Sequence, residues 1–495
     1  MGRCEGGRAT PSVAGMETHP SAVPWSRRGT ATAWSDQIVT VVIAAVSAFF
    51  GVALTQGARL MRDLLGGDPS ADMISAAALF VAWVFIGIGS YTAAVVTANT
   101  FATLVAGRVR TIALLRLLGA RASRLRRDLA REGLAAGAAG SMVGLAIALI
   151  GYRAAVGAAV AAGALPAIAY TWVDPGVVAP TLVAVVTVGV SAYAGSRVVG
   201  QVAPIQALSA DIEAPIEQVR MGRRARAGIA ALVVVGVVLL AGGVAIGLRF
   251  PGGVLVAFWG GVASFTGVVA GGVFIVPRLM RWVSTAFGRS VPATLARDYA
   301  TRSPRAATRG AIGMVVGVAL IVMFVVALAT MRDITHGALV NDPARPPSAE
   351  DLQMYDRMIG ITTAVMVALT AISAVLAAIG MIANLALSVL RRRRDLGLLR
   401  AVGATGGQVR AMIVLEALLT SVVSIGFGAV LGVLYGWAGA QSTFGVVAGG
   451  LVAPVVPWPL IGTILVAAAG LALAASAGPA LRASRISPTR ALEVT

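Results

Sequence analysis

The sequence contains ten apolar runs of about 20 residues, each long enough to cross the roughly 30 Å hydrocarbon core of a bilayer. Only 12% of the residues are charged, against about 25% in soluble domains. Because helices satisfy their backbone hydrogen bonds internally, the runs predict an all-α polytopic membrane protein with ten transmembrane helices. The runs are 37–58, 74–98, 130–151, 176–195, 228–248, 254–276, 311–330, 359–389, 411–437 and 458–478.

The distribution of basic residues predicts the orientation of these helices. The chain has 40 basic side chains, all arginine, and 33 of them lie in the N-terminal segment, the C-terminal segment and every second loop. Arginine-rich segments of membrane proteins stay in the cytoplasm, so both termini are expected to be cytoplasmic. The net charge of +19 then indicates contact with anionic membrane lipid and not with nucleic acid.

The residue types also exclude several kinds of chemistry. Without lysine the chain has no P-loop lysine to hold ATP phosphates and no Schiff base. One cysteine, Cys4, excludes an internal disulfide, and the two histidines are far apart in sequence. We find no catalytic residues, no metal site and no cofactor site in the sequence.

A segment of the first half recurs in the second half at a constant offset in numbering. The same offset also pairs Arg126 with Arg410 and Pro175 with Pro459. Such self-similarity predicts two copies of one structural unit. The matching residues are Arg108, Arg110, Leu114, Leu115, Arg116, Gly119 and Ala120 in the first copy and Arg392, Arg394, Leu398, Leu399, Arg400, Gly403 and Ala404 in the second.

The repeat divides the predicted chain into four parts. Residues 1–36 are expected to be a disordered cytoplasmic segment, and 37–213 the first four-helix unit. Residues 214–310 hold a two-helix insert and a cytoplasmic linker, and 311–495 form the second four-helix unit. This 4+2+4 layout makes the two units parallel, because an even number of helices separates them.

The repeated segments, 108–120 and 392–404, are predicted to form two cytoplasmic elbows. Leu114 and Leu115, like Leu398 and Leu399, place apolar side chains on a short helix next to an arginine. Gly119 and Gly403 then allow a sharp turn before the next helix. Exposed leucines at this position indicate docking to a protein partner.

The elbow pattern of basic residues, Leu-Leu-Arg-x-x-Gly-Ala, about eleven residues and a glutamate resembles the FtsX-like permease family of ABC transporters. The resemblance covers roughly 36–210 and 305–495, and the C-terminal segment Ala480 to Leu492 contains the Pro-x-x-Ala-Leu tail common in such permeases. The layout is similar to the ten-span branch, typified by bacitracin-exporter-type permeases, but lacks their large extracellular domain. The first copy also has Thr111 where the second has Asp395.

This resemblance implies a permease subunit in a bacterial plasma membrane, driven by two copies of a separate ABC ATPase. ATP and Mg would be bound by that partner and not by this chain. The implied substrate is amphipathic: an antimicrobial peptide, a lipid or a lipid-linked molecule. The alternative is a regulator that transmits ATPase motion to an outside partner and moves no substrate. A sensor kinase is a further possible partner.

Glu132 and Glu416 are placed at the inner ends of the third helix of each unit and allow two interpretations. They could form a proton or cation site, as an ion-coupled secondary transporter would need. Alternatively, they are carboxylates stabilised by a helix N-terminus and neighbouring arginines. The scarcity of other charges within the apolar runs favours the second interpretation.

Overall fold

A computed structural model of the chain describes residues 30–65, 69–107, 109–163, 165–201, 222–250, 252–285, 304–340 and 405–470, with isolated positions between 348 and 403. Across these residues all regular secondary structure is helical, as predicted. The described α-helices are α1 Thr30–Leu65, α2 Pro69–Gly107, α3 Val109–Leu117, α4 Ala122–Ala161, α5 Val178–Gly195, α6 Arg223–Gly247, α7 Gly253–Ser284, α8 Pro304–Val340, α9 Gly406–Ala448 and α10 Trp458–Gly470.

Eight of the described helices are long and apolar enough to span a membrane, which makes the chain a multi-pass membrane protein. They correspond to eight of the ten predicted runs. Of the other two, 458–478 appears as the shorter apolar helix α10 as far as residue 470, whereas 359–389 lies almost wholly outside the described residues. The ten-span layout and its orientation therefore remain predictions.

Most of the described spanning helices extend beyond the boundaries that hydropathy predicts, as α1 and α8 illustrate. Helix α1 begins at Thr30, although the sequence predicts disorder as far as residue 36. Helix α8 continues to Val340, past the predicted end of its apolar run at residue 330. Hydropathy locates only the part of a helix that lies in hydrocarbon, so polar turns at either end are invisible to it.

The first unit consists of α1, α2, α4 and α5, which pack on one another through small residues. On α4, Gly140 and Gly144 face α1 so closely that an added Cβ would overlap the carbonyl oxygens of Val41 and Ala45. Gly133 of α4 lies similarly close to α5, where an added Cβ would overlap the Cβ of Ala192. Small residues allow the backbones to approach closely, which is how helices associate within a bilayer.

The second unit repeats this arrangement in its described part. Helix α9 begins at the position that corresponds to the start of α4, and it packs on α8 with Gly428, the counterpart of Gly144, against the carbonyl oxygen of Val315. The Thr171 backbone amide donates a hydrogen bond to the Asp63 carboxylate of α1. The amide of its counterpart, Val455, donates a hydrogen bond to the Thr330 hydroxyl of α8. The sequence repeat therefore corresponds to a repeat in three dimensions.

Helices α6 and α7 form a hairpin between the two units. Close glycine contacts hold the pair together, as where Gly236 lies against Ser264 and Gly243 against Ala257. The hairpin packs on α8 and α9 of the second unit, and α7 also reaches α2 of the first unit. One helix of the hairpin therefore contacts both repeats.

Candidate functional site

The first predicted elbow folds as the short helix α3 followed by a glycine turn. The Ala120 amide donates to the Leu115 carbonyl at 2.9 Å, and the Gly119 amide donates to the Arg116 carbonyl at 3.1 Å. Gly119 has a φ of +93°. This hydrogen-bond pattern, with glycine in the left-handed region, is a Schellman motif that ends α3. The repeated Leu-Arg-x-x-Gly-Ala residues are those that build the turn.

The turn is fixed to the rest of the first unit by an apolar cluster at its base. Ile112 and Ala113 of α3 are buried against Val105 at the end of α2, Leu125 of α4 and Val199. Leu115, Ala120, Ala122 and Leu129 pack around the edge of this cluster. A force on α3 would therefore be transmitted to both α2 and α4.

Three leucines remain exposed on the elbow: Leu114 at 46%, Leu117 at 49% and Leu118 at 83%. Their i, i+3, i+4 spacing places them on one side of α3. Leu115 is instead half-buried, because its side chain packs at the edge of the cluster. The sequence predicts Leu114 and Leu115 as the exposed pair and does not indicate Leu117 and Leu118, because a leucine doublet alone does not show which way each residue faces. We call Leu114, Leu117 and Leu118 the leucine face.

Only the end of the second elbow is described. Gly403 has a φ of +108°, so it is left-handed like its counterpart Gly119. The other predicted residues of this elbow lie outside the described residues: Leu398, Leu399, Arg400 and Ala404. The helices after the elbows begin differently. Thr405 and Gln408 form a capping box at the start of α9, but Arg121 precedes α4 without a side-chain cap.

Gly119→Ala should strain the first elbow, because a left-handed conformation costs an L-residue about 1–2 kcal/mol. We expect faster limited cleavage by trypsin after Arg116 and Arg121 in the variant. Gly151→Ala, at a helical position with no neighbour within 4 Å of the new Cβ, is the matched control and should cleave at the parental rate. Equal cleavage rates in the two variants would show that the turn does not need glycine.

Glu132 and Glu416, which the sequence predicts at the inner ends of their helices, lie on corresponding helices but have different surroundings. Glu132 is exposed on α4 and accepts a hydrogen bond from Gln37 Nε2 at 3.2 Å. Glu416 is half-buried on α9, where Thr420 donates to its backbone carbonyl at 2.8 Å. Across the described ranges no group of three or more His, Cys, Asp or Glu could hold a metal ion. The choice between an ion site and a structural role for these glutamates stays open.

A polar and aromatic cluster links α2 of the first unit to α9 of the second through α7. The hydroxyls of Tyr91 on α2 and Thr266 on α7 are 2.8 Å apart, and those of Ser264 on α7 and Tyr435 on α9 are 2.9 Å apart. Phe265 lies between the two tyrosines with edge-on ring contacts. Helix α7 thus hydrogen-bonds to both repeats, a connection that the sequence pattern gave no sign of.

Comparison with protein families gives two matches, both to the family described as FtsX-like permease C-terminal, at residues 83–202 and 367–488. The starts of the two matches differ by the same offset as Arg108 and Arg392, and the first match includes the elbow and the leucine face. A search of curated proteins finds no match to the chain. The chain therefore contains two FtsX-like permease domains.

This family consists of membrane components that have no ATPase site of their own and generally work with an ABC ATPase. The two domains therefore indicate a membrane permease component of an ABC-type system. The matches leave α1, the α6–α7 hairpin and α8 outside the family region, although these helices pack against it.

Proposed function

We propose that the chain is the membrane-spanning subunit of an ABC transporter and that a separate ATPase drives it by pressing on the two elbows. The leucine face is the observation that carries this proposal. It is an exposed apolar surface on a polar, arginine-rich part of the chain, and it belongs to a domain whose relatives work with an ABC ATPase.

The construction of the elbow suits this role. Burying a leucine side chain in a partner stabilises the complex by roughly 1.5–3 kcal/mol, so three leucines form an adequate anchor. The Schellman turn and the cluster beneath it hold α3 at a fixed angle to α4. Movement of the ATPase would then tilt α2 and α4 and not simply bend a loop.

Two elbows in one chain imply two ATPase copies, one on each repeat, with ATP and Mg bound by the ATPases. This arrangement places both elbows, and both termini, in the cytoplasm of a bacterial cell, with ten spans in a 4+2+4 layout. The arginine distribution and the eight described spans support that topology.

We infer an amphipathic substrate: an antimicrobial peptide, a lipid or a lipid-linked molecule. The layout resembles bacitracin-exporter-type permeases, for which the same class of substrate is expected.

Native mass spectrometry of the complex purified in mild detergent tests this proposal. We expect one copy of the chain with two copies of an ABC ATPase, and loss of the ATPase from the first elbow after the leucine face is removed. A stable complex of the parent chain with a single ATPase would contradict the symmetric use of both elbows. If the complex hydrolyses ATP but moves no amphipathic substrate in vesicles, the protein is instead a regulator that transmits motion.

A further inference from the structure

The two repeats differ in charge where the helix after each elbow begins. Helix α4 carries four exposed arginines in its first ten residues and at its N-cap, whereas the corresponding positions of α9 are uncharged. The arginines are Arg121, Arg124, Arg127 and Arg131, and their counterparts in the second repeat are Thr405, Gln408, Ala411 and Leu415. This basic surface is therefore specific to the first unit.

Three of these arginines share one face of α4. At 100° per residue, Arg124, Arg127 and Arg131 fall within about 60° of one another and extend about 10 Å along the helix. Among the described residues, no carboxylate forms an ion pair with Arg124 or Arg127. A guanidinium nitrogen of Arg131 is 3.7 Å from a carboxylate oxygen of Asp128. This ion pair is exposed to solvent, so it contributes little to stability. We call Arg124, Arg127 and Arg131 the arginine face.

The arginine face continues directly into an apolar face of the same helix. Leu134, Ala135 and Met142 lie within about 80° of Arg124 around the helix axis, and all three are exposed. They lie within the apolar run 130–151 of this candidate span, so acyl chains are their natural neighbours, whereas Arg124 and Arg127 lie before it. A lipid whose chains lie against Leu134 and Ala135 has its headgroup beside the arginines, about one to three turns nearer the helix start.

We propose that the arginine face binds the phosphate headgroups of anionic phospholipids, at positions where the second repeat has uncharged counterparts. A guanidinium recognises phosphate through two parallel hydrogen bonds, which an ammonium cannot do. The long arginine side chains can reach the headgroups while their methylene groups stay against apolar surface. An anionic membrane attracts each arginine near its surface, and this attraction falls off within a Debye length.

This site gives the two elbows different attachments. In the proposed site the start of α4 contacts lipid headgroups, whereas the start of α9 has no such arginines and satisfies two of its own backbone amides through the capping box of Thr405 and Gln408. The lipid site needs neither the ATPase nor ATP, so its test is independent of the proposed transport function.

Fluorescence quenching by brominated lipids measures the preference for one lipid next to one residue. The full-length chain with Cys4→Ser and Ala135→Cys is labelled with bimane and placed in vesicles of phosphatidylcholine and phosphatidylglycerol, with either lipid brominated. Ala135 is exposed on the same side of α4 as Arg131 and lies one helical turn further along the chain. We expect brominated phosphatidylglycerol to bind next to the label roughly threefold more strongly than brominated phosphatidylcholine, a value reduced by salt screening.

The arginine face is then removed by Arg124→Gln, Arg127→Gln and Arg131→Gln. In this variant the two lipids should bind next to the label with equal strength. Arg223→Gln, Arg224→Gln and Arg226→Gln remove the same charge from the exposed start of α6 and should leave the preference unchanged. Equal binding of both lipids to the parent chain, or a preference that survives loss of the arginine face, overturns the proposal. Release of the ATPase by the arginine-face variant without any lipid preference in the parent would assign this surface to the ATPase and would also overturn it.

Discussion

Replacing Leu114, Leu117 and Leu118 with aspartate is expected to release the ATPase from the first elbow. The change removes three apolar side chains from the interface, each contributing about 1.5–3 kcal/mol when buried, and places charges in an apolar groove. Because about 1.4 kcal/mol corresponds to a factor of ten, ATPase binding at this elbow should weaken at least tenfold. Titration of the purified variant with the ATPase measures the effect.

The controls separate docking from folding. Replacing the same three leucines with methionine keeps an apolar surface and should retain the ATPase, and Ser123→Asp adds a neighbouring exposed charge without touching the leucine face. In the second elbow, Leu398→Asp should weaken docking of the ATPase. Leu399→Asp should also disturb the turn if that elbow ends as the first does. A triple aspartate variant that reaches the membrane at normal levels and still holds both ATPases would refute the leucine face as the anchor.

Gly144→Ala should strongly destabilise the first unit. The new Cβ would overlap the backbone carbonyl of Ala45, so α1 and α4 must separate. Overpacking of this kind costs on the order of 1–3 kcal/mol, and backbone atoms cannot turn away as a side chain can. The midpoint of thermal unfolding in detergent should fall by several degrees.

Gly157→Ala on the same helix is the matched control. It meets no atom within 4 Å, so the better helix propensity of alanine should leave the unfolding midpoint equal or higher. Gly428→Ala, whose Cβ would be 2.9 Å from the carbonyl oxygen of Val315, should have a smaller effect than Gly144→Ala. Equal stability of the Gly144 and Gly157 variants would contradict close α1–α4 packing.

Much of this architecture was predictable, because membrane helices and repeats leave strong signals. Hydropathy located all eight described spans, since each needs about 20 apolar residues. The position of the elbow turn followed from Gly119, because a left-handed residue at a helix end is most often glycine. The recurrence of the motif also anticipated the two family domains, whose matches start at the same offset.

The parts that sequence missed depend on contacts between distant segments. Leu115 and Leu117 look alike in sequence, and only the packing against Leu125 and Val199 decides which of them remains exposed. The hydroxyl pairs of Tyr91 with Thr266 and of Ser264 with Tyr435 join helices that are far apart along the chain. No periodicity within one helix indicates such partners.

ATP hydrolysis in reconstituted vesicles tests the central claim most directly. The chain alone should show no ATP hydrolysis above background. The ABC ATPase purified with it should hydrolyse ATP faster when the chain is present than when it is absent. The triple aspartate variant of the leucine face should reduce this stimulation. Hydrolysis by the pure chain alone, or an ATPase whose rate does not depend on the chain, would contradict the assignment as a permease driven by a separate ATPase.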